Sequence, residues 1–418
     1  MLYKNRTIFS SGRNLLPVFL MVIFALTNTQ CTSAKNLNPT AVKSDSIAEQ
    51  LTWAERMAKS VMKRNEKVWH IENKDNRKWT YTHGLVSLSF IRLWEQTKQQ
   101  QYFDYAEGYL DDLIDEDGVI YGYKMDDFNI DKINSGKILY PIYEHTQKEK
   151  YQMVIHSLRK QLQWQPRNTK GGFWHKRRYP WQMWLDGLYM AGPFYAQYAV
   201  EYEQTEAFDD IAKQFILVEK NTRDAATGLL YHGWDESRIQ RWSDPETGLS
   251  EHFWGRAMGW YAMALVDVLD YFPKDHPHHQ ELIDIFQRLA KALAAFQDGE
   301  TGLWYQVVNL PKQEGNYKEA TVSSMLAYAF AKGARKGYLD QEYHQVAQKA
   351  FDGIVENLIE IKDDGEVYLN KCCAVAGLGG SPYRDGSYDY YVNETIRSND
   401  PKGTGPFIMA SIELEILK

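Results

Sequence analysis

Five short segments of similar composition recur between helix-like stretches of this chain, and they constrain the fold more than any other feature. Each segment is a polar turn, then a glycine, then a few alternating apolar and aromatic residues. The segments are EDGVIYGYK, TKGGFWHKR, ATGLLYHGW, ETGLWYQVV and DDGEVYLNK, around Gly118, Gly172, Gly228, Gly302 and Gly365, and NRKWTYTHG near Trp79 is a weaker sixth. Successive glycines lie 54 (118 to 172) to 74 (228 to 302) residues apart, which leaves room for two helices in each interval. Such a period is typical of stacked supersecondary units.

The stretches between these segments have helical periodicity. IAEQLTWAERMAKSVMKRN, QYFDYAEGYLDDLI and ELIDIFQRLAKALAAFQD place apolar residues three and four positions apart, as amphipathic helices do. Six helix pairs that close into a ring form an (α/α)6 barrel. The sequence predicts this all-α fold, with the short strand-like segments at one mouth. An open helical solenoid is the alternative, although the irregular intervals and the aromatic segments favour the closed ring.

The N-terminus has the pattern of an export signal. Three basic residues precede the apolar run LLPVFLMVIFAL, which is too short for a typical membrane span. We predict an export signal over 1–34, a polar linker over 35–46 and a single catalytic domain over 47–418. Two processing routes stay open, lipidation of Cys31 or cleavage at the TSA that follows it. Either route predicts an exported bacterial protein, in the periplasm or lipid-anchored at the cell envelope, with no membrane span in the mature chain.

Composition excludes some partners. The formal net charge of -7 over 418 residues provides no basic field, so we expect no nucleic-acid partner. An aromatic share of 14% suits both cores and clefts for ring-shaped ligands. Three cysteines, two of them adjacent, build no disulfide framework. No cluster has metal-ligand spacing, so we expect neither a metal nor another cofactor.

Two aspartates stand out as candidate catalytic groups. Asp186 is the only charge in YPWQMWLDGLYMAGPFYAQYAV, and a buried carboxylate is costly unless it is paired, hydrogen-bonded or protonated. Asp131 precedes the apolar run of INSGKILYPIYE, where it could also be a helix-start residue. Two carboxylates at one mouth, in apolar surroundings, raise each other's pKa. We therefore expect that either could act as an acid near neutral pH.

Polar residues recur beside tryptophans at corresponding places in the repeat. His175 follows Trp174, His232 lies in YHGWDES, and Arg256 lies in WGRAMGW. Each alone is also compatible with a hydrogen-bonded structural group or a core ion pair. Their recurrence predicts one cleft with aromatic stacking faces and with donors for an anionic ring substituent.

Four blocks of the sequence resemble glycoside hydrolase family 105, the unsaturated rhamnogalacturonyl hydrolases. They are GGFWHKRRYPWQMWLDGLYMAGPF, YHGWDESRIQRW, EHFWGRAMGWYAMALVDVL and AGLGGSPYRDGSYDYYVNETIRSNDPKGTGPFIMAS. The likeness runs from about Trp79 to the C-terminus, and the related family 88 matches these blocks less well. The resemblance implies an (α/α)6 barrel that releases a terminal 4,5-unsaturated uronic acid from an oligosaccharide made by a polysaccharide lyase. It implies Asp186 as general acid/base and Asp131 as second carboxylate, in a pocket lined by His175, Trp184, His232, Trp254, Arg256 and Trp260.

The chemistry that this family implies differs from ordinary glycoside hydrolysis. The target is a vinyl ether, so protonated Asp186 would deliver a proton to C4 and its carboxylate would then activate water for attack at C5. Arg256 is expected to bind the uronate carboxylate. Two alternatives stay open: an ordinary inverting glycosidase on the same barrel, and a non-catalytic carbohydrate-binding surface protein.

Overall fold

The computed structural model describes residues 51–416. The predicted export signal, Cys31 and the predicted linker lie outside the described residues. Thirteen α-helices account for most of the described chain: α1 (Trp53–Arg64), α2 (Tyr81–Thr97), α3 (Gln100–Leu113), α4 (Leu139–Thr146), α5 (Glu149–Trp164), α6 (Leu185–Glu201), α7 (Ala207–Thr222), α8 (Gly255–Val268), α9 (His279–Ala295), α10 (Ala320–Lys336), α11 (Glu342–Asn357), α12 (Tyr388–Asn393) and α13 (Pro401–Ile416). A 3-10 segment, Ile130–Ile138, runs directly into α4. None of the helices between residues 51 and 416 has both the length and the apolarity that a membrane span requires.

Six of these elements form a closed inner ring. In ring order they are α2, the 3-10 segment with α4, α6, α8, α10 and α13, each packed against the next. The last, α13, packs against the first, α2, so the ring closes. Outer helices α1, α3, α5, α7, α9 and α11 each pack mainly on one inner element. The predicted (α/α)6 barrel is confirmed, and ring closure excludes the open solenoid.

The sequence assigns helices to the two layers through their apolar surface. Every residue of α8 is buried, and so is every residue of α13 from Pro401 to Leu414. Helices that are apolar all round need partners on all sides, which only the inner ring provides. Outer helices such as α1 and α9 bury one stripe and leave the opposite face polar.

The connections at the two ends of the barrel differ in length. Turns from inner to outer helices are mostly short, whereas longer connections lead into the inner elements: 65–80, 114–129, 165–184, 223–254, 296–319 and 358–400. These longer connections contain the recurring segments, so the first residues of the inner elements gather at the end that the segments cover. Four of the recurring glycines have φ from 72° to 81°, a left-handed conformation that glycine adopts without strain. In the second segment, Gly171 takes this conformation in place of Gly172.

Strands are fewer than the alternating segments predicted. Three short antiparallel pairs form: β1 (Gln182–Trp184) with β2 (Gly233–Asp235), β3 (Ile359–Ile361) with β4 (Val367–Leu369), and β5 (Cys372–Cys373) with β6 (Ile396–Arg397). Elsewhere single bridges, such as Ile114 with Ile120, mark the same turns. In the first pair Trp184 lies opposite Gly233, which brings the start of α6 beside the residues that precede β2.

Gly84 fixes how closely α2 approaches the 3-10 segment. A Cβ at Gly84 would lie 2.5 Å from Ser135 Cα, whereas a Cβ at Gly108, on outer helix α3, would meet nothing within 4 Å. We expect Gly84→Ala to lower the free energy of unfolding by about 1–3 kcal/mol through overpacking. Gly108→Ala should leave it unchanged or raise it by up to about 1 kcal/mol, because alanine favours helix. Urea denaturation of both variants measures this difference, and equal effects would contradict the close approach.

Candidate active site

Asp186 lies in the first turn of inner helix α6, and its side chain is 15% exposed. The helix dipole favours a negative charge at this end. Asp186 Oδ2 lies 3.3 Å from His232 Nε2, and neither atom makes a well-aligned hydrogen bond within the described residues. The pair is therefore held at ion-pair distance, and both of these polar atoms are buried.

His232 is fully buried and is positioned from its other side. The backbone of Leu185 donates to the His232 carbonyl at 3.1 Å, which continues the β1–β2 pairing up to Asp186. His232 Nδ1 lies 2.8 Å from the Tyr391 hydroxyl. When that hydroxyl donates, the imidazole carries its proton on Nε2, facing Asp186. The ring of Trp254 packs on the imidazole at 4.7 Å between centroids.

Asp131 has a different set of partners. Its Oδ1 lies 3.3 Å from His175 Nε2, and its Oδ2 pairs with Lys176 Nζ. Asn129, not Asp131, caps the 3-10 segment, because the Asn129 side chain accepts from the Asp131 backbone. Asp131 is therefore not the helix-start residue of the alternative interpretation, and its carboxylate belongs to the site.

His175 connects the two carboxylates. Its ring stacks on Trp184 with centroids 4.4 Å apart and 18° between the planes. It also packs on the first turn of α6, where a Cβ on Gly187 would lie 3.0 Å from His175 Nδ1. His175 thus faces Asp131 while it lies beside the helix turn that carries Asp186. The structure brings together five predicted residues: Asp186, Asp131, His175, His232 and Trp184.

The remaining predicted residues lie deeper than expected. Trp254 and Trp260 are each 1% exposed. Trp254 stacks on Tyr391 and donates to Gln306, so it supports His232 from behind. Trp260 packs between Tyr189 and Tyr81 in the barrel interior. Both tryptophans support the site, and neither offers a free stacking face.

Arg256 is the main departure from prediction. It is 1% exposed, its Nε donates to Thr321 Oγ1 at 2.8 Å, and its Nη2 donates to the Cys373 carbonyl. The same Nη2 lies 3.6 Å from Glu319 Oε1. Because these protein acceptors occupy the guanidinium, the structure does not support the predicted contact with a substrate carboxylate. Arg256 instead links α8 to the residues around the start of α10.

The pKa values of the two carboxyls also differ from expectation. Burial would raise the pKa of Asp131, but Lys176 and His175 outweigh burial and hold that pKa well below its usual range. Burial likewise opposes the charge on Asp186, yet His232, and then His175, lower the Asp186 pKa below its ordinary value. Burial lowers the pKa of His175, so the His175 ring is neutral at neutral pH. The prediction that apolar surroundings make either free carboxyl an acid is wrong, because it overlooked the basic partners.

Sequence reasoning missed four residues of the site. Lys176 neutralises Asp131, and Tyr391 positions His232. Tyr179 stacks on Trp184 at 5.0 Å, and Arg384 Nη2 donates to the Tyr179 hydroxyl at 2.9 Å. Two signals were present, the basic run HKRR after Trp174 and the tyrosine-rich SYDYYVN near the C-terminus.

The Glycosyl Hydrolase Family 88 model matches residues 53–418. The chain belongs to this family. A family 105 glycoside hydrolase from C. acetobutylicum is 46% identical, with a TM-score of 0.84 over 88% of this chain and 100% of that chain. The unsaturated rhamnogalacturonyl hydrolase of Bacillus subtilis is 25% identical over 302 residues, 69% of this chain and 78% of that protein. An unsaturated glucuronyl hydrolase from Bacillus sp., 14% identical with a TM-score of 0.65 over 87% of this chain and 95% of that chain, shares the fold.

These comparisons confirm the predicted likeness to family 105. The matching model has the family 88 description, while the solved structure at 46% identity has the family 105 label. The chain is therefore similar to members of both related families named from the sequence, and these members share the barrel fold.

His232→Gln tests what lowers the Asp186 pKa. Glutamine cannot carry the imidazolium charge, so burial remains and should raise the Asp186 pKa above its value in the parent protein. Infrared difference spectroscopy of the protonated carboxyl stretch measures this pKa. His252→Gln is the control, because His252 pairs with Glu251 and its ring packs against the rings of Tyr388 and Tyr391. An Asp186 pKa that stayed constant or fell in His232→Gln would contradict this assignment of the interaction.

Proposed function

We propose that this protein releases a terminal 4,5-unsaturated uronic acid from oligosaccharides by hydration of the C4–C5 double bond. The observation that carries the proposal is the Asp186–His232 pair, one carboxyl and one imidazole 3.3 Å apart at a helix start. Membership of the family and the activities of the relatives support the substrate class.

The barrel itself favours an anionic substrate at this end. Inner helices α6 and α8 begin at Leu185 and Gly255, next to Asp186 and next to the Trp254 that packs on His232. Each helix start carries a partial positive charge from its unpaired N–H groups. Together they would attract a uronate carboxylate in a protein whose net charge is -7.

Asp186 is the proposed acid, and substrate binding would favour its protonated form. In the free protein His232 and His175 favour the carboxylate form. A bound uronate brings a negative charge and displaces water, and both changes disfavour a second anion nearby. Asp186 would then take up a proton from solvent as the substrate binds, and this proton would be in position for transfer to C4.

The second half of the reaction uses the carboxylate so formed. After C4 is protonated, positive charge develops at C5 and Asp186 accepts a proton from the attacking water. The resulting hemiketal at C5 opens, releasing the next sugar and a keto-acid. A single carboxyl group that changes protonation state twice can therefore both donate the proton to C4 and activate the water.

Asp131 is proposed to bind and not to exchange protons. Its two oxygens already face His175 and Lys176, and its pKa lies well below the usual range. A permanently ionised carboxylate accepts hydrogen bonds from sugar hydroxyls, which would fix the ring over Asp186. An ordinary inverting glycosidase needs its second carboxylate free to activate water. The partners of Asp131 therefore weigh against that alternative, and the Asp186–His232 pair weighs against a purely binding role.

The proposed substrate also bears on where the protein would act. Unsaturated uronyl ends are formed when a lyase cleaves a uronate-containing polysaccharide, so the protein would follow such an enzyme. We further propose that it is exported by the signal predicted over 1–34, with lipidation of Cys31 as one route.

Asp186→Asn should nearly abolish turnover while the fold is retained. The amide keeps the shape of the side chain but cannot donate the carboxyl proton or activate water, so we expect a loss of roughly three or more orders of magnitude in kcat. Asp126→Asn is the control and should keep near-normal kcat. Asp126 is an exposed aspartate that precedes the 3-10 segment Ile130–Ile138. The assay follows loss of ultraviolet absorbance of the double bond. Substantial activity in a folded Asp186→Asn protein would contradict the assignment of Asp186 as the acid.

The double bond should be obligatory for turnover. If water attacks C5, a saturated version of a good substrate binds in the same site but is not cleaved. In heavy-oxygen water the label should appear at the former C5 of the released keto-acid, as mass spectrometry of the product would show. Label at the anomeric carbon, or comparable cleavage of the saturated analogue, would indicate conventional glycoside hydrolysis.

A further inference from the structure

Five arginines on the connections that cover the site have no carboxylate within 4.0 Å among residues 51–416. They are Arg177, Arg178, Arg238, Arg241 and Arg384. Elsewhere arginines such as Arg167, Arg223 and Arg335 pair with acidic side chains. These five guanidinium groups are therefore not neutralised by a direct ion pair within the described residues.

Three of these arginines are placed on one aromatic cluster. Tyr179, Trp184, Trp242 and Leu378 form the buried cluster, and Tyr383 packs against it. The Arg178 guanidinium lies 4.9 Å from the Tyr179 ring centre, and the Arg241 guanidinium lies 4.4 Å from that of Tyr383. Arg384 donates to the Tyr179 hydroxyl. We call Arg178, Arg241 and Arg384 the arginine rim.

The arginine rim is continuous with the proposed catalytic residues. Tyr179 stacks on Trp184, and Trp184 stacks on His175, which faces Asp131. The Arg384 guanidinium also lies 5.9 Å from the Trp184 ring centre, and the ring centres of Trp184 and His232 are 5.6 Å apart. A sugar next to the one held at Asp186 and Asp131 would therefore reach the aromatic cluster and its arginines.

Arg384 is held rigidly in this place. Its Nε donates to the Gly379 carbonyl at 2.9 Å, and its Nη2 also donates to the Leu378 carbonyl at 3.2 Å. A Cβ at Gly377 would lie 2.2 Å from Arg384 Nη1, so only glycine leaves room for the guanidinium. Such preorganisation lowers the entropy that a ligand must offset on binding.

Acidic residues on the same connections do not neutralise the rim by contact. Asp235 accepts from the backbone of Ser237, Ile239 and Gln240. Asp385 accepts from the Ser387 backbone. The hydrogen bond from the Ser387 backbone lowers the pKa of Asp385 most, and the Arg241 charge adds a smaller lowering. Unpaired guanidinium groups that lie near one another favour an anion between them.

We propose that the arginine rim binds an anionic substituent on the sugar that follows the unsaturated uronate. This inference rests on the proposed function. Sulfate ester and carboxylate share the chemistry that guanidinium groups recognise, oxygens that accept paired N–H donors. Tyr383, which is half-buried and packs against the aromatic cluster, would provide a face for the ring that carries the substituent. Because C4 and C5 of the uronate must lie at Asp186, the exposed Arg178 and Arg241 would contact the next unit.

Three substrates test the arginine rim. All have the same unsaturated uronyl unit, and the second sugar is neutral, carries a sulfate ester or carries a carboxylate. In the double variant Arg178→Gln/Arg241→Gln, kcat/KM for the preferred anionic substrate should fall about tenfold or more, mainly through KM. For the neutral substrate kcat/KM should change less than about twofold, as the loss concerns only the anionic contact. The sulfate and carboxylate arms identify which substituent is preferred.

Arg56→Gln is the matched control. Its guanidinium lies 4.2 Å from the Trp53 ring centre on outer helix α1, and like the rim arginines it has no carboxylate partner among the described residues. This variant should match the parent protein on all three substrates. The selective loss in the double variant should also shrink at high ionic strength, because exposed charges are screened.

Each outcome decides one of the two proposals. Turnover of the neutral substrate with no anionic preference, and no selective loss in the double variant, would overturn the arginine rim and leave the proposed function intact. If no unsaturated substrate is cleaved, the proposed function fails. In that case calorimetry measures the binding of the sulfated and carboxylated disaccharides to the parent protein and to the double variant. Equal affinities for the parent protein and the double variant would overturn the arginine rim.

Discussion

The common direction of the inner helices is the constraint on which the rest of this structure depends. Because the inner helix starts meet at one end, that end is partially positive and the opposite end is partially negative. Charged pairs lie at both ends of the barrel. At the C-terminal ends, Lys332 pairs with Asp267 and Asp270 at 2.6 Å each, and Arg335 pairs with Glu413. At the other end, Asp131 pairs with Lys176, and Asp186 lies at ion-pair distance from His232.

The two active-site aspartates show how partners, more than burial, decide the role of a carboxyl group. Both side chains are 15% exposed. Asp131 faces a lysine and a neutral imidazole, which keep it ionised. Asp186 instead faces the imidazole of His232, at 3.3 Å, and pairs with no lysine in the described part of the chain. Two similar carboxyls therefore receive different tasks from their neighbours.

Much of the fold could be predicted from the sequence, because it depends on local pattern. Helical periodicity and the recurring glycine turns gave the ring of helix pairs, and Asp186 stood out as a single charge in an apolar run. Partner identity could not be predicted in this way. Lys176 and Arg384 reach the site through contacts between separate connections, and nothing local in HKRR or SPYRDG states which way a long side chain turns. The number of short strands was overpredicted for a related reason, because a strand needs a hydrogen-bonded neighbour as well as alternating apolar residues.

Arg256 is a second example of a side chain whose partners could not be predicted from the local sequence. Its position between two tryptophans fits a ligand-binding arginine, yet its partners Thr321 and Cys373 lie far along the chain. Glu319 completes the network: it caps α10 and accepts from the Thr321 hydroxyl and the Cys373 backbone. Removing one member of such a buried pair leaves an uncompensated charge. The network therefore ties the start of α8 to α10 and to the C-terminal connection, which also carries Tyr391 and Arg384. A buried arginine can thus shape substrate recognition without touching the substrate, by holding in place the residues that do.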